Sequence, residues 1–214
     1  EKYRGGDVVA IEENAFKDFS VLETLVIPNS VKKMGQGIFA GCTRLTSISM
    51  PCYENTFNFM WLCTEAPKDS ISSNDDIFLP PVNTINITGG TAIPNQMFYI
   101  WGEAESIFKS TLKTLTIPDS ITSIGQYAFY SCPEEIFEEE NGIKYIGKWA
   151  VASTNKNFTL RNGTIGIASR ALLPENYEFD ESITSFTIPT SIKYISPLSL
   201  LISPNIEEYV VDNG

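Results

Sequence analysis

Apolar residues return along this chain at fixed offsets from a recurring dipeptide. With Ile27-Pro28 as an anchor, Met50-Pro51 follows 23 residues later, and Ile87, Ile117-Pro118, Leu160, Ile188-Pro189 and Val211 continue the series. Two and five residues before the anchors stand Leu25 and Leu22, Ile48 and Leu45, Ile85 and Val82, Leu115 and Leu112, Phe186 and Ile183, and Tyr209 and Ile206. Seven residues after them stand Met34, Phe57, Ile124, Ile167 and Ile195, and twelve after them Phe39, Leu62, Phe129, Leu172 and Leu200. Ile11, Ala15 and Phe16 extend the pattern to the N-terminus. All these positions are expected to face one core, because a period of 20 to 50 residues marks a stacked-repeat architecture.

The unit reads L-x-x-L-x-I-P-x-S-[VI]-x-x-[IM]-G-x-x-[AI]-F-x-x-C. Its first part alternates like a strand with one buried face, and proline then ends it because it has no N–H to give a ladder. The Gly-x-x-Ala-Phe part is too short for a helix of its own and predicts a tight turn or one turn of 3₁₀ helix. One unit cannot bury its own apolar residues, whereas a stack of units can. The expected organisation is a single domain, 1–214, of about eight units of roughly 23 residues. It carries insertions at about 63–81 and 99–111 and a hairpin-like unit at about 136–152, where Asn141-Gly142 is a two-residue hairpin turn.

The I-P-x-S-[VI] phrases at Ile27, Ile117 and Ile188, with the Gly-x-x-Ala-Phe-x-x-Cys phrase from Gly125 to Cys132, resemble the BspA-type leucine-rich repeats of bacterial and protist surface proteins. The phrases from Asn141 to Val151 and from Gly163 to Leu172 share that resemblance, which covers nearly the whole chain. It implies a right-handed leucine-rich repeat solenoid with one parallel sheet of short strands and a convex side of turns and short 3₁₀ segments, β-rich with little α-helix. It also implies an exported protein at the cell surface or outside the cell, used for adhesion or recognition of a protein or glycan, and no catalytic residues. A passive spacer within a larger surface protein is the alternative.

Interruptions of a repeat are where loops and ligand contacts collect. From Leu62 to Val82 the chain carries fourteen residues beyond the regular spacing, and from Phe98 to Leu112 eight. The first insertion is rich in Ser, Asn, Asp and Pro and reads as a loop. The second, YIWGEAESIFKS, reads as a short helix with Ile107 and Phe108 facing inward. Both follow the Ala-Phe position of successive units, so they are expected side by side on one edge. Trp61, Asp75, Asp76, Phe78, Tyr99 and Trp101 are the candidate ligand residues there, since aromatics dominate interface energetics. The competing reading is that these rings only pin the insertions to the solenoid.

The outward strand positions form a second candidate surface: Thr24, Ser47, Thr84, Thr114, Thr116, Ser185 and Thr187. Eight such rungs make a polar face about 40 Å long. Thr and Ser also suit strands without any ligand.

Composition narrows the chemistry. The chain has 214 residues, 26 acidic and 15 basic, for a net charge of −11. That charge disfavours nucleic acid and anionic lipid as partners, and no apolar run is long enough to enter a membrane. The starting stretch EKYRGGDVV is not a signal peptide, and the chain reads as a mature or trimmed form. There is no histidine, which removes the commonest general base and zinc ligand. No cofactor or metal is expected. A carboxylate pair such as Asp75 with Glu103 has no spacing that supports acid–base work, and Glu138 to Glu140 read as a solvated edge. Cys42 and Cys132 share a repeat position in units that are not adjacent, too far apart for a disulfide. Cys52 and Cys63 lie within one unit, where an oxidising compartment leaves a disulfide open. Asn86, Asn157 and Asn162 begin glycosylation sequons.

Overall fold

A computed structural model describes residues 7–64, 79–154, 158–173 and 179–212. The strands in chain order are β1 (Ala10–Ile11), β2 (Thr24–Val26), β3 (Lys33–Met34), β4 (Ser47–Cys52), β5 (Thr84–Gly90), β6 (Ala92–Ile93), β7 (Thr114–Thr116), β8 (Ser123–Ile124), β9 (Glu138–Glu140), β10 (Ile143–Ile146), β11 (Trp149–Ser153), β12 (Gly166–Ile167), β13 (Ser185–Ile188), β14 (Tyr194–Ile195) and β15 (Glu208–Val211). Helices α1 (Phe59–Cys63) and α2 (Glu103–Thr111) and one 3₁₀ turn (Glu134–Ile136) complete the described elements.

The regular units contribute two strands, as in β2 with β3, β5 with β6, β7 with β8 and β13 with β14, whereas after β4 the helix α1 replaces the second strand. The long ones, β2, β4, β5 and β7, form a parallel sheet in that order, with Leu25, Ile48, Ile85 and Leu115 in one register row. Ile48 and Ile85 are fully buried and Leu115 is nearly so. Each such side chain contributes about 1.5–3 kcal/mol by leaving water. The positions seven after the anchors make the second, two-residue strands. These pair as β1 with β3, β6 with β8 and β12 with β14, all parallel. Between the two strand rows lies a continuous core. Its centre is aromatic: Phe59 packs against Phe39, Phe98 and Phe108 with ring centroids 5.6–6.4 Å apart, and Phe98 stacks on Phe129 at 5.9 Å.

The parallel rows are not one unbroken sheet. An antiparallel meander, β9-β10-β11, interrupts them, and β11 then pairs in parallel with β12. Asn141 (φ 55°) and Gly142 (φ 75°) both take the left-handed conformation that a tight two-residue hairpin requires. Arg161 straps the meander down. Its guanidinium lies 4.1 Å over the Tyr145 ring, pairs with Glu138 at 2.5 Å and donates to the Gly147 carbonyl. Glu138, Glu139 and Glu140 are all exposed.

Six apolar positions differ from the expectation: Phe57, Ile107 and Ile195, and also Ala15, Tyr209 and Val211, which are exposed. Phe57 is 41% exposed, and Phe59 takes its place in the core. Asn58 caps α1 by accepting the Trp61 N–H at 3.0 Å, and this local turn shifts the inward position by two residues. Ile107 is exposed while Phe108 is buried: α2 buries only Ala104 and Phe108, the same face one turn apart. Ile195 is 48% exposed, because β14 pairs only with β12 among the described residues and its outer side is uncovered.

Candidate functional site

The turn after each second strand has a fixed backbone. Asn14, Gly37, Gln96, Tyr127, Arg170 and Leu198 all have φ between 54° and 67°. This left-handed residue reverses the chain so that the following Phe points inward while its own side chain stays outside. Glycine or asparagine adopts it readily, whereas a bulky side chain pays roughly 1 kcal/mol or more. Strain of that kind is concentrated where function holds it in place. Tyr127 and Arg170 carry it side by side, with the Arg170 guanidinium 5.8 Å over the Tyr127 ring and a hydrogen bond from Nη1 to the Tyr127 hydroxyl at 3.3 Å.

From Tyr127 an aromatic ribbon runs across the turns. Tyr127 meets Tyr130 edge-on at 6.0 Å, and Tyr130 packs on Tyr99 at 5.2 Å. Tyr99 leads to Trp101 at 6.5 Å, and Trp101 to Trp61, edge-on, at 5.9 Å. Tyr99 and Tyr130 each follow the inward Phe of their units, Phe98 and Phe129, so one turn feeds the core and the ribbon from opposite sides. Buried Ser131 fixes the start of the second insertion: its hydroxyl accepts the Ile100 N–H and donates to the Ile100 carbonyl, both at 3.0 Å. This holds Trp101 against α1. Trp61, Trp101 and Tyr99 are half-buried, and Tyr127 and Tyr130 are 43% and 59% exposed.

Trp61, on α1 just before the first insertion, meets Trp101 of the second, and three of the six candidate residues at this edge come together. Asp75, Asp76 and Phe78 lie outside the described residues, as does the Asp75 half of the acid–base pair. The sequence reading missed Tyr127, Tyr130 and Arg170, which sit at the variable positions of the regular turn. The signal that points to Tyr130 is its equivalence with Tyr99, one residue past the inward Phe.

The strand face is arranged differently. Ser49, Asn86 and Thr116 bond to one another across β4, β5 and β7: Asn86 Nδ2 donates to Ser49 Oγ at 3.4 Å, and Thr116 Oγ1 donates to Asn86 Oδ1 at 3.0 Å. Thr84 donates to Asn83 Oδ1 at 2.8 Å. Thr24, Thr114, Thr116, Ser185 and Thr187 are exposed, and Ser47 and Thr84 half-buried. Of the seven candidate residues on this face, Thr84 and Thr116 thus make side-chain bonds within the chain. The Asn86 sequon is occupied by those bonds, Asn162 is exposed in a turn, and Asn157 lies outside the described residues.

All four cysteines are free and buried, so Cys52 and Cys63 are not bridged. Burial pushes the Cys52 thiol up to about 12 and the Cys63 and Cys132 thiols well above the ordinary range. Cys42 is raised too, chiefly by burial. Such thiols are inert rather than nucleophilic. Among the described residues no group of three or more His, Cys, Asp or Glu side chains is placed to hold a metal ion, and no helix is long and apolar enough to cross a membrane.

The chain is similar to several solved structures. One is a leucine rich cell surface protein from Faecalibacterium prausnitzii, at 17% identity and a TM-score of 0.31 over 95% of this chain and 64% of that one. Leucine-rich repeat proteins from Eubacterium ventriosum (14% identity, TM-score 0.31) and Bacteroides ovatus (16%, 0.27) match 95% and 99% of this chain and 57% and 61% of their own. The chain thus spans less than two thirds of the length of each. No curated protein matches it. A family model, the BspA type leucine-rich repeat region, matches six copies over residues 6–77 and 83–207. The chain belongs to the BspA-type leucine-rich repeat family.

Proposed function

We propose that the chain is a recognition module at the cell surface or outside the cell, holding a protein ligand along its turn edge. One observation carries this reading: the ribbon Trp61–Trp101–Tyr99–Tyr130–Tyr127, closed by Arg170. Trp, Tyr and Arg are the three residue types that dominate binding hot spots. The rings are already braced by one another, so little side-chain entropy remains to be lost on binding. Edge-on contacts at Trp61–Trp101 and Tyr127–Tyr130 and tilted contacts between them cover part of the flat surfaces on which a sugar ring stacks, which favours a protein over a glycan. The strand face carries small hydroxyl side chains and no such cluster of rings, and is the weaker site.

The reading assigns no catalytic residue, since the sequence has no histidine and the described thiols are held protonated by burial. Under the spacer alternative the rings serve only to hold the second insertion against α1, and the exposed Tyr127 and Tyr130 have no such role.

The test is an array of extracellular proteins and glycans exposed to three chains. These are the unaltered chain, a Tyr127→Ala/Tyr130→Ala variant and a Thr114→Lys/Thr116→Lys variant. Partner binding lost at least tenfold in the tyrosine variant and kept in the lysine variant supports the reading. Loss in the lysine variant alone moves the site to the strand face. Silence of the unaltered chain across the array favours the spacer.

A further inference from the structure

The ladder of turns loses its cross-turn backbone bond after the 125–132 turn and, among the described residues, again between the 168–173 and 196–201 turns. Asp18 N–H donates to the Ala40 carbonyl, Phe39 to Leu62, Phe59 to Met97 and Phe98 to Ala128, each bond joining one turn to the next. Beyond the 125–132 turn, among the described residues, no backbone bond reaches 170–173; the nearest link is Ser169 N–H to the Ile124 carbonyl at 2.8 Å. At the first of these breaks the meander β9–β11 stands between the two turns. It supplies strands for that rung but no Gly-x-x-Ala-Phe turn to fill it. The missing turn leaves a cavity of about 310 Å³ between the two turns and the meander.

Ile124, Ala128, Phe129, Val151 and Ala171 give it an apolar part, and Glu134, Ser153 and Ser169 also line it. Two cations line it from different walls. Lys144, on β10, lies 5.5 Å over the Phe137 ring, and Arg170, on the following turn, lies over Tyr127. Lys144 is mostly buried, its side chain 17% exposed. Its Nζ already holds a carboxylate, Glu134 Oε2 at 2.6 Å, supplied by a side chain that is 75% exposed.

We propose that this cavity binds a small apolar carboxylate, an aryl or branched-chain acid, either free or as the C-terminal residue of a partner chain. The volume is at the lower end of small-ligand sites, and the combination of an apolar body with few convergent polar groups is what such sites present. The acid's apolar part replaces the missing turn against Phe129 and Val151. Its carboxylate takes over Lys144 from Glu134 and approaches Arg170, whose fork suits a carboxylate. Releasing Glu134 leaves Lys144 with the ligand's carboxylate in its place, and the Glu134 side chain, 75% exposed, returns to water. The proposal does not require the ribbon to bind a macromolecule. Trp61 lies outside this cavity, so a Trp61→Ala chain tests the ribbon alone.

The test titrates the whole chain with N-acetyl-phenylalanine and with its uncharged amide, followed by ¹H–¹⁵N chemical shifts. Shifts confined to residues 124–137, 144, 151–153 and 168–173, with the acid at least tenfold tighter than the amide, are expected. Lys144→Gln is expected to abolish that preference. Glu134→Gln is expected to tighten the acid by up to about fivefold, an effect that a merely structural lysine does not produce. Ala152→Leu, at a half-exposed strand position lining the cavity, is expected to block binding and leave the melting curve unchanged. A peptide of five alanines and a terminal phenylalanine separates the two sources: tighter binding than the free acid identifies a partner's C-terminus, and equal or weaker binding a free acid. Acid and amide binding alike, or shifts elsewhere, would overturn the proposal.

Discussion

Phe57 and Phe59 give the sharpest test of how the core is built. The repeat spacing places Phe57 inside, whereas the structure leaves it 41% exposed and buries Phe59 completely. Phe59 touches three other rings, Phe39, Phe98 and Phe108, at centroid distances of 6.4, 6.0 and 5.6 Å. Truncating it removes those contacts and leaves a cavity in a region where every neighbour is fixed. Such Phe→Ala changes cost about 3–5 kcal/mol. Phe57 has little more than half of its surface buried and opens onto solvent, so truncation leaves no enclosed void. Scaling a full Phe burial of about 1.5–3 kcal/mol gives about 1–2 kcal/mol. For a chain of this size each kcal/mol moves Tm by about 2–4 °C. Phe59→Ala is therefore expected to lower Tm by about 6–20 °C, and Phe57→Ala by about 2–8 °C. Urea titrations of both variants, read by circular dichroism, give the free energies directly. Equal losses, or a larger loss at Phe57, would refute the assignment of the core.

Gly90 (φ 95°) sits so close to the Cys52 carbonyl that any Cβ there collides with backbone; Gly90→Ala is expected to cost at least about 2 kcal/mol in the same titration. Arg161→Ala removes the cation over Tyr145 and the Glu138 pair, and is expected to cost about 1–2 kcal/mol and to speed hydrogen exchange across β9 and β10 more than across β4 and β5. The buried thiols are expected to ignore a disulfide reagent at pH 8 until the chain is unfolded in denaturant. Because their pKa values are raised in the folded state, unfolding releases protons at high pH, and stability is expected to be intact below about pH 8.5 and to fall above it.

The repeat was legible because burial imposes it: each rung must present Leu25-like and Ile124-like side chains at the same height, or the stack leaves voids. The Asn141-Gly142 turn was legible because those residues readily take the required left-handed backbone. Phe57 was misread because a side-chain cap, Asn58 on Trp61 N–H, outweighs the repeat register locally. Ile107 was misread because adjacent residues of a helix point about 100° apart, so Ile107 and Phe108 cannot both face inward. For the site, the insertion aromatics stood out as departures from the unit. Tyr127 and Arg170 did not, because nothing in a side chain that disfavours the left-handed region announces that it adopts it. The cavity beside them comes from an absent turn, and only the stacking of distant units reveals it.

The central claim is that the turn edge, and not the strand face, meets the partner. Hydrogen exchange of the chain alone and with the strongest protein from the array tests it most directly. The account predicts new protection over residues 96–101 and 125–131, with strands β2, β4, β5 and β7 unchanged. Protection confined to those four strands, with the turns exchanging as before, would contradict it.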